Sequence, residues 1–318
     1  MKNLHTLLAL SFAFCMNAQT GNTNIGTNSL SSNTTGDYNS AFGEASLKVN
    51  TTGSSNTATG HMSLFSNTTG SNNTASGGES LKQNTTGINN TATGYMSLFS
   101  NSTGGNNTAS GGQSLKQNTT GSNNTATGGS ALYSNTSGAF NTATGKESLF
   151  NNISGINNTA SGFQSLKNNT TGASNTAIGI WSLRFNITGN NNTATGRSAL
   201  HTNSTGSNNT ASGFGSLFYN TEGSYNTAFG DTCLFNITTG NYNTGIGHFA
   251  TASSAAATNQ TIIGFEATGQ ADNSVVLGND DVTAVYMAED RGAKIYAGEG
   301  DFSGDIVTAG NVTVSSDI

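Results

Sequence analysis

The sequence has 318 residues, a formal net charge of −6, 42 glycines and no proline, and only 8% of its residues are charged. Hydrophobic residues make up 33%, below the roughly 45–50% of ordinary globular domains, a composition that by itself suggests a flexible linker. The mild acidity and the lack of a basic stripe argue against nucleic-acid binding, and after the first residues no stretch is apolar enough to span a membrane.

The N-terminal residues 1–19 have the pattern of a signal peptide. Lys2 supplies a positive charge, an apolar run extends from Leu7 to Cys15, and small residues around Ala18 offer a cleavage site. We therefore expect export and an extracellular or cell-surface location. The alternative is a buried N-terminal strand. After cleavage Cys233 is the only cysteine, which excludes an intrachain disulfide.

Residues 20–247 repeat with a period of 17. A motif close to Asn-Thr-Ala-Thr/Ser-Gly occurs fourteen times between Asn22 and Asn243, without one insertion or deletion. A linker has no reason to keep such a register, whereas stacked coils do, because one extra residue would move a coil out of line. The pattern predicts an all-β fold, a parallel β-solenoid or β-roll of 17-residue coils. We expect each coil to hold two short strands and two glycine turns.

Each predicted coil contributes a thin core, one alanine and one leucine, with a small residue before the leucine. The buried small residue at Cys233 is then a filler and not a nucleophile. Identical asparagines and threonines in stacked coils are expected to form hydrogen-bond ladders. The predicted core residues include Ala58, Leu64, Ala75, Leu81, Ala92 and Leu98.

A second period of 34 residues overlies the first after the leucine, where aromatic residues and lysines alternate: Phe65, Lys82, Phe99 and Lys116. Stacking would place lysine side chains between aromatic rings, giving cation–π contacts or plain packing. The alternative is recent duplication of a two-coil unit, and both explanations are compatible.

The C-terminal fifth departs from this pattern. The 17-residue period is expected to stop after Gly247, and looser copies of the motif predict terminal degenerate repeats over residues 248–279. Residues 280–318 are richer in acids and predict a β-rich neck, truncated at its C-terminal end.

The motif Asn-Thr-Ala-x-Gly followed by Ser-Leu, with Asn-Ser-Val-Val-Leu-Gly at 273–278, resembles the head repeats of trimeric autotransporter adhesins (YadA-like heads). That resemblance covers residues 22–318. It implies a left-handed, trimeric fibre that binds host or matrix surfaces, although the repeats of those heads are usually shorter. Residues 300–318 look like the neck that precedes the intramolecular chaperone domain of tail-fibre proteins.

No residue pattern predicts catalysis, a metal or a cofactor. The histidines are scattered, the acids occur singly, and no calcium-binding Gly-Gly-x-Gly-x-Asp repeat is present. The variable corner after the first glycine carries exposed aromatic residues that could contact a glycan or a protein surface; alternatively, this corner faces a trimer partner. The candidate ligand-contact residues are Tyr95, Phe163, Trp181 and Phe214.

The leading hypothesis is a homotrimeric adhesin or fibre protein that binds a surface glycan or an extracellular matrix-type protein through repeated weak contacts. An ice-binding solenoid is the alternative, suggested by threonine rows such as Thr57/Thr59, although Phe42, Ile178 and Phe229 interrupt them. A polysaccharide lyase is a third option, but the sequence lacks clustered catalytic groups.

Overall fold

The computed structural model describes residues 20–283 and residue 285. The predicted signal peptide and most of the predicted neck lie outside these residues. The chain divides into two compact units, Met1–Asp281 and Val282–Ile318, and every strand described below belongs to the first.

The first unit is an all-β solenoid, as the repeat predicted. Sixteen three-residue strands form one parallel sheet in which sequence order and spatial order are the same, and the described residues contain no helix. The strands are β1 Thr23–Ile25, β2 Ser40–Phe42, β3 Thr57–Thr59, β4 Thr74–Ser76, β5 Thr91–Thr93, β6 Thr108–Ser110, β7 Thr125–Thr127, β8 Thr142–Thr144, β9 Thr159–Ser161, β10 Thr176–Ile178, β11 Thr193–Thr195, β12 Thr210–Ser212, β13 Thr227–Phe229, β14 Thr244–Ile246, β15 Thr261–Ile263 and β16 Val275–Leu277.

The prediction of two strands per coil is wrong, because each coil has only one. The glycine after each strand has a positive φ, 127° at Gly60, and ends the extended backbone. Two of the next four residues are also left-handed, with φ of 53° at Met62 and 49° at Leu64. This conformation excludes a strand but still allows the Leu64 N–H to bond Ser80 O of the next coil at 2.9 Å.

The core is the predicted thin column of alanine and leucine. All six predicted core residues, Ala58, Leu64, Ala75, Leu81, Ala92 and Leu98, are 0% exposed. Fully burying one leucine stabilises by roughly 1.5–3 kcal/mol, so each coil gains little alone and depends on its neighbours. Cys233 is also fully buried, and burial raises the pKa of its thiol to about 11.

Two buried asparagine ladders reinforce this thin core and confirm the expected side-chain hydrogen bonds. In one, Asn67 Nδ2 donates to Asn50 Oδ1 at 2.7 Å; in the other, the Asn73 N–H donates to Asn56 Oδ1 at 3.0 Å. The ladders share the carbonyl of Gly70, which accepts from Asn56 Nδ2 and Asn67 Nδ2, each at 2.8 Å. Each coil is thereby held both to itself and to the next.

Threonines outside the strands act differently from the asparagines. Thr68 Oγ1 donates to the Thr85 carbonyl one coil further on, at 2.9 Å, and does not form a ladder of side chains. The hydroxyl therefore strengthens the contact between the N-T-T-G segments of successive coils through the backbone.

The stack continues beyond the point where the sequence period was expected to end. β14 pairs with β15 through Thr244 and Thr261, a further step of 17 residues, and Ile262 takes the buried place of the alanine. The step from Thr261 to Val275 in β16 is shortened to 14 residues. The expected end of the 17-residue period at Gly247 is therefore one coil too early.

Candidate binding surfaces

The outward side chains of strands β3–β9 form a continuous surface of hydroxyl groups, which we call the threonine face. The middle alanine of each strand points inward, while the first and third residues point outward and are exposed in all these strands but β9, where Ser161 is half-buried. Register is strict, since Thr57 lies opposite Thr74 and Thr59 opposite Ser76. Neighbouring strands of a parallel sheet are about 4.8 Å apart, which sets the spacing of the rows.

Apolar residues bound the threonine face at both ends. Phe42 precedes it, and Ile178, Phe229, Ile246 and Ile263 follow in the same outward row, each between 37% and 46% exposed. The first outward row keeps its threonines throughout, from Thr57 to Thr261. The longest uninterrupted run of paired hydroxyl-bearing side chains therefore spans the seven strands β3–β9, and a shorter run covers β11 and β12.

The predicted aromatic residues at the corner after each strand do not form one row. Tyr95 is 56% exposed, and Gly78 and Gly112 occupy the equivalent positions of the coils on either side. Phe163 is 38% exposed and likewise has no aromatic contact among the described residues. These two predicted contact residues are therefore isolated from each other.

Trp181 and Phe214 are instead brought together by arginine. Arg197 Cζ lies 5.6 Å from the Trp181 ring centroid and 5.7 Å from that of Phe214. Arg184 Cζ lies 5.8 Å from the same Trp181 ring and 5.1 Å from Phe185. We call this group, with His201, the arginine–aromatic cluster: Trp181, Arg184, Phe185, Arg197, His201 and Phe214.

His201 connects the cluster to the next coil. Its ring is edge-on to Phe185 at 5.1 Å and stacked on Phe218 at 4.9 Å. Its Nδ1 lies 3.2 Å from the Trp181 carbonyl, which fits a neutral ring with the proton on Nδ1. Burial lowers the pKa of His201 and the Arg184 charge lowers it further, while the backbone contact acts in the opposite direction.

The cluster was missed in the sequence because its members come from different turns of the solenoid. Arg184 lies three residues after Trp181 in the same coil, but Arg197 belongs to the next coil, and only the coil length places it beside Trp181. One signal was readable: residues 148–221 contain Lys167, both arginines and His201 but no aspartate or glutamate.

Lysines elsewhere lie against aromatic rings, as the 34-residue alternation predicted. Their Nζ atoms lie between 5.4 and 5.8 Å from the ring centroids, in the pairs Lys48–Phe65, Lys82–Phe99, Lys116–Tyr133 and Lys167–Phe150. Two of these lysines also form ion pairs, Lys82 with Glu79 at 3.2 Å and Lys167 with Glu147 at 2.8 Å. The contact with Lys167 is the main cause of a lowered pKa at Glu147.

The part of the chain that the structure describes contains no group of three or more His, Cys, Asp or Glu side chains placed to hold a metal ion. In that same part no helix is long and apolar enough to cross a membrane.

The geometry defines a β-solenoid repeat protein with ordered surface rows. Neither a scan of protein-family models nor a search of curated proteins found a match to this chain.

Proposed function

We propose that this protein is a secreted or surface-displayed fibre protein, an adhesin that binds a surface through many weak contacts. The observation that carries the proposal is the register of the sheet, which repeats each outward position once per coil, as in Thr57, Thr74 and Thr91. A ligand that is itself repetitive, such as a glycan coat or an extracellular matrix-type protein, would meet several equivalent positions at once. Linked weak contacts of this kind give strong overall binding.

If binding depends on many linked contacts, it should weaken when coils are removed, and this can be tested directly. Deleting residues 107–140 removes two whole coils while keeping Asn106 followed by an Asn-Thr-Ala-Thr-Gly segment, so the stack can close. Binding to a glycan or matrix-protein array should weaken for the shortened chain. The control is deletion of residues 1–19 alone, which leaves all the coils. Equal binding by both chains, or no binding to any surface, would reject the multivalent adhesin.

Homotrimerisation belongs to the same proposal, and exposed apolar side chains support it. At the coil position just before the first buried asparagine, four coils carry a large aromatic residue that is between 52% and 63% exposed: Tyr38, Phe140, Tyr225 and Tyr242. Exposed apolar groups on a regular rod are suited to burial against other copies. Light scattering on residues 20–318 should give the mass of three chains, and the mass of one chain would reject the trimer.

Export by the N-terminal segment is the corresponding proposal for location, and it rests on the residue pattern of 1–19. Mass spectrometry of the protein recovered from the culture medium or cell surface should find an N-terminus near residues 18–20. Retention of Met1 on intracellular protein would reject export.

We further propose that the protein has no catalytic activity.

Ice binding is a second candidate, and the threonine face favours it. Seven consecutive strands present two aligned hydroxyl-bearing side chains without an apolar interruption. Thermal hysteresis should then be measurable and should fall when Thr125→Tyr disturbs the middle of the face. Thr120→Tyr, at an exposed residue of the N-T-T-G segment, is the matched control. Absence of hysteresis in the unmodified protein would reject this candidate and leave the adhesin unaffected.

A further inference from the structure

The arginine–aromatic cluster differs in its charge balance from the coils in which a lysine is paired with a glutamate. Lys82 is neutralised by Glu79, three residues earlier. Six coils further along, Trp181 stands at the position of Glu79 and Arg184 at that of Lys82. An indole ring therefore occupies the position of the carboxylate, so the coil of Arg184 has the positive charge without the anionic partner.

No ion pair among the described residues compensates for this difference, and the first acid in the column of Arg197 is Asp231, two coils further on. The ion pairs among the described residues involve lysines only, and no aspartate or glutamate occurs between residues 148 and 221. A guanidinium group stays charged at any ordinary pH and offers five N–H donors in a planar fork. Arg184 and Arg197 therefore form a local positive site on a chain whose net charge is −6.

Two buried donors in the cluster also lack a hydrogen-bond partner: Trp181 Nε1 and Arg184 Nε. An unsatisfied buried donor costs about 1–3 kcal/mol, so native proteins rarely retain one without a reason. Both atoms can only donate. Small movements of the surrounding side chains would satisfy both if acceptor oxygens were brought to the cluster.

The exposed rings beside the guanidinium groups restrict the kind of anion. Phe185 is 40% exposed and Phe214 is 49% exposed, and each lies against an arginine. A small inorganic anion would use the arginines but would leave these ring faces in water. A ligand that combines an anionic group with an apolar face uses both parts of the surface.

We propose that the arginine–aromatic cluster binds an acidic sugar unit of a polysaccharide, with Arg184 and Arg197 pairing with its anionic group and the aromatic rings packing against the C–H face of the sugar. A carboxylate and a sulfate are the two forms of the anionic group, and both accept paired N–H bonds from guanidinium. This inference rests on the proposed adhesive function and names the ligand class for one of its contact sites.

The test uses residues 20–318 and four immobilised probes: polygalacturonate, chondroitin sulfate, neutral dextran and a single-stranded oligonucleotide. Polygalacturonate tests the carboxylate and chondroitin sulfate the sulfate. We expect binding to at least one of these two, weakened at high salt, and no binding to dextran. Equal binding to dextran, tighter binding to the oligonucleotide, or binding to neither acidic polymer would overturn the inference.

Two variants assign the binding to the cluster. Arg197→Gln changes an exposed side chain and Arg184→Gln a half-buried one, and each should weaken binding by about tenfold, the scale of one hydrogen bond to a charged group. The control is Lys116→Gln, which also removes one positive charge but lies in the lysine–aromatic part of the solenoid. It should change binding less than twofold. Unchanged binding by Arg197→Gln would overturn the inference even if Arg184→Gln failed to fold.

The two proposals can fail separately. If Arg197→Gln still adheres to the array surfaces but the unmodified protein ignores both acidic polymers, the ligand class is wrong and the adhesin stands. If the shortened chain and the full chain bind equally while acidic polymers require Arg197, the cluster is a single site and the multivalent adhesin is wrong.

Discussion

Asn84 Nδ2 donates to Asn67 Oδ1 at 2.7 Å, and this contact between two successive coils is one rung of a buried ladder. The ladder runs without a gap from Asn33 to Asn220. It ends there because the next equivalent residue is Ile237, which is fully buried and offers no donor. Asn220 Oδ1 is consequently a buried acceptor without a partner.

The ladder predicts that the cost of losing an asparagine depends on its position. Asn118→Ala leaves Asn101 Oδ1 without its donor and Asn135 Nδ2 without one of its acceptors. Asn220→Ala orphans only Asn203 Oδ1 and removes an acceptor that is already unsatisfied. At about 1–3 kcal/mol for each buried group left unpaired, Asn118→Ala should lower the free energy of unfolding more.

Urea denaturation followed by circular dichroism measures the difference, with both variants compared with the unmodified protein. Hydrogen exchange of the flanking coils provides a local readout, because a long repeat array need not unfold in one step. Equal destabilisation by the two substitutions would contradict a ladder that transmits hydrogen bonding along its length.

Two glycines, Gly121 and Gly129, differ in whether the neighbouring coil leaves room for a side chain. A Cβ on Gly121 would collide with the Gly138 carbonyl and with Asn118 Oδ1, whereas a Cβ on Gly129 would meet nothing within 4 Å. Gly121→Ala should therefore lower the unfolding free energy by about 1–3 kcal/mol, the usual cost of overpacking a core. Gly129→Ala should be close to neutral in the same urea denaturation experiment, and a similar loss in both would argue against the close packing of coils.

Backbone strain predicts a stabilising exchange. Phe140 is 60% exposed and has φ of 57°, at a coil position where most coils have asparagine. Asparagine tolerates the left-handed region better than phenylalanine does. Phe140→Asn should raise the unfolding free energy of the single chain by about 0.5–1 kcal/mol, somewhat less than the cost of about 1–3 kcal/mol for a fully strained residue. The reverse exchange at Asn157, with the same φ of 57°, should destabilise.

The lowered pKa of His201 predicts a pH-dependent stability. The unfolded chain, with an ordinary histidine pKa of 6.5, binds the proton more readily than the folded chain does. The contribution of the neutral ring is therefore fully present above pH 6.5 and declines as the pH falls below it. Denaturation midpoints at pH 7.5 and 5.5 should differ less in His201→Tyr than in the unmodified protein.

The control for this pH effect is His61→Gln, which removes an exposed histidine from a different part of the solenoid. It should keep the pH dependence of the unmodified protein. If His201→Tyr and His61→Gln give the same change between the two pH values, His201 is not the group responsible.

The period of 17 was enough to predict the solenoid, its core and its asparagine ladders, because Ala58, Leu64 and Asn67 recur at fixed spacing and stacked coils must align them. The number of strands per coil was not predictable in the same way. Leu64 has a left-handed φ of 49°, a conformation that leucine by itself disfavours. Its hydrogen bond to the next coil and the burial of its side chain hold it there, and neither is visible in the residue type.

For the candidate contact residues, the sequence did not show which aromatic side chains stand alone and which belong to a cluster. Tyr95 and Trp181 both follow a strand, yet only Trp181 has arginines on adjoining positions of its own coil and the next. Membership of the arginine–aromatic cluster depends on which residues of successive coils lie side by side, and the coil length determines this. The absence of acids around Arg184 and Arg197 is the one part of that information that the linear sequence displays.

The inter-coil contacts also determine how this protein can change in evolution. Nearly every backbone hydrogen bond outside the turns joins one coil to the next, between residues 15 to 18 apart, as in Thr74 N–H to Asn90 O at 2.8 Å, so coils of similar sequence make interchangeable contacts. Gain or loss of a whole coil leaves the neighbouring contacts in place, whereas gain or loss of one residue breaks both ladders. Gene variants should therefore differ in length by multiples of 51 base pairs, three for each of 17 residues, and the number of coils sets the length of the solenoid.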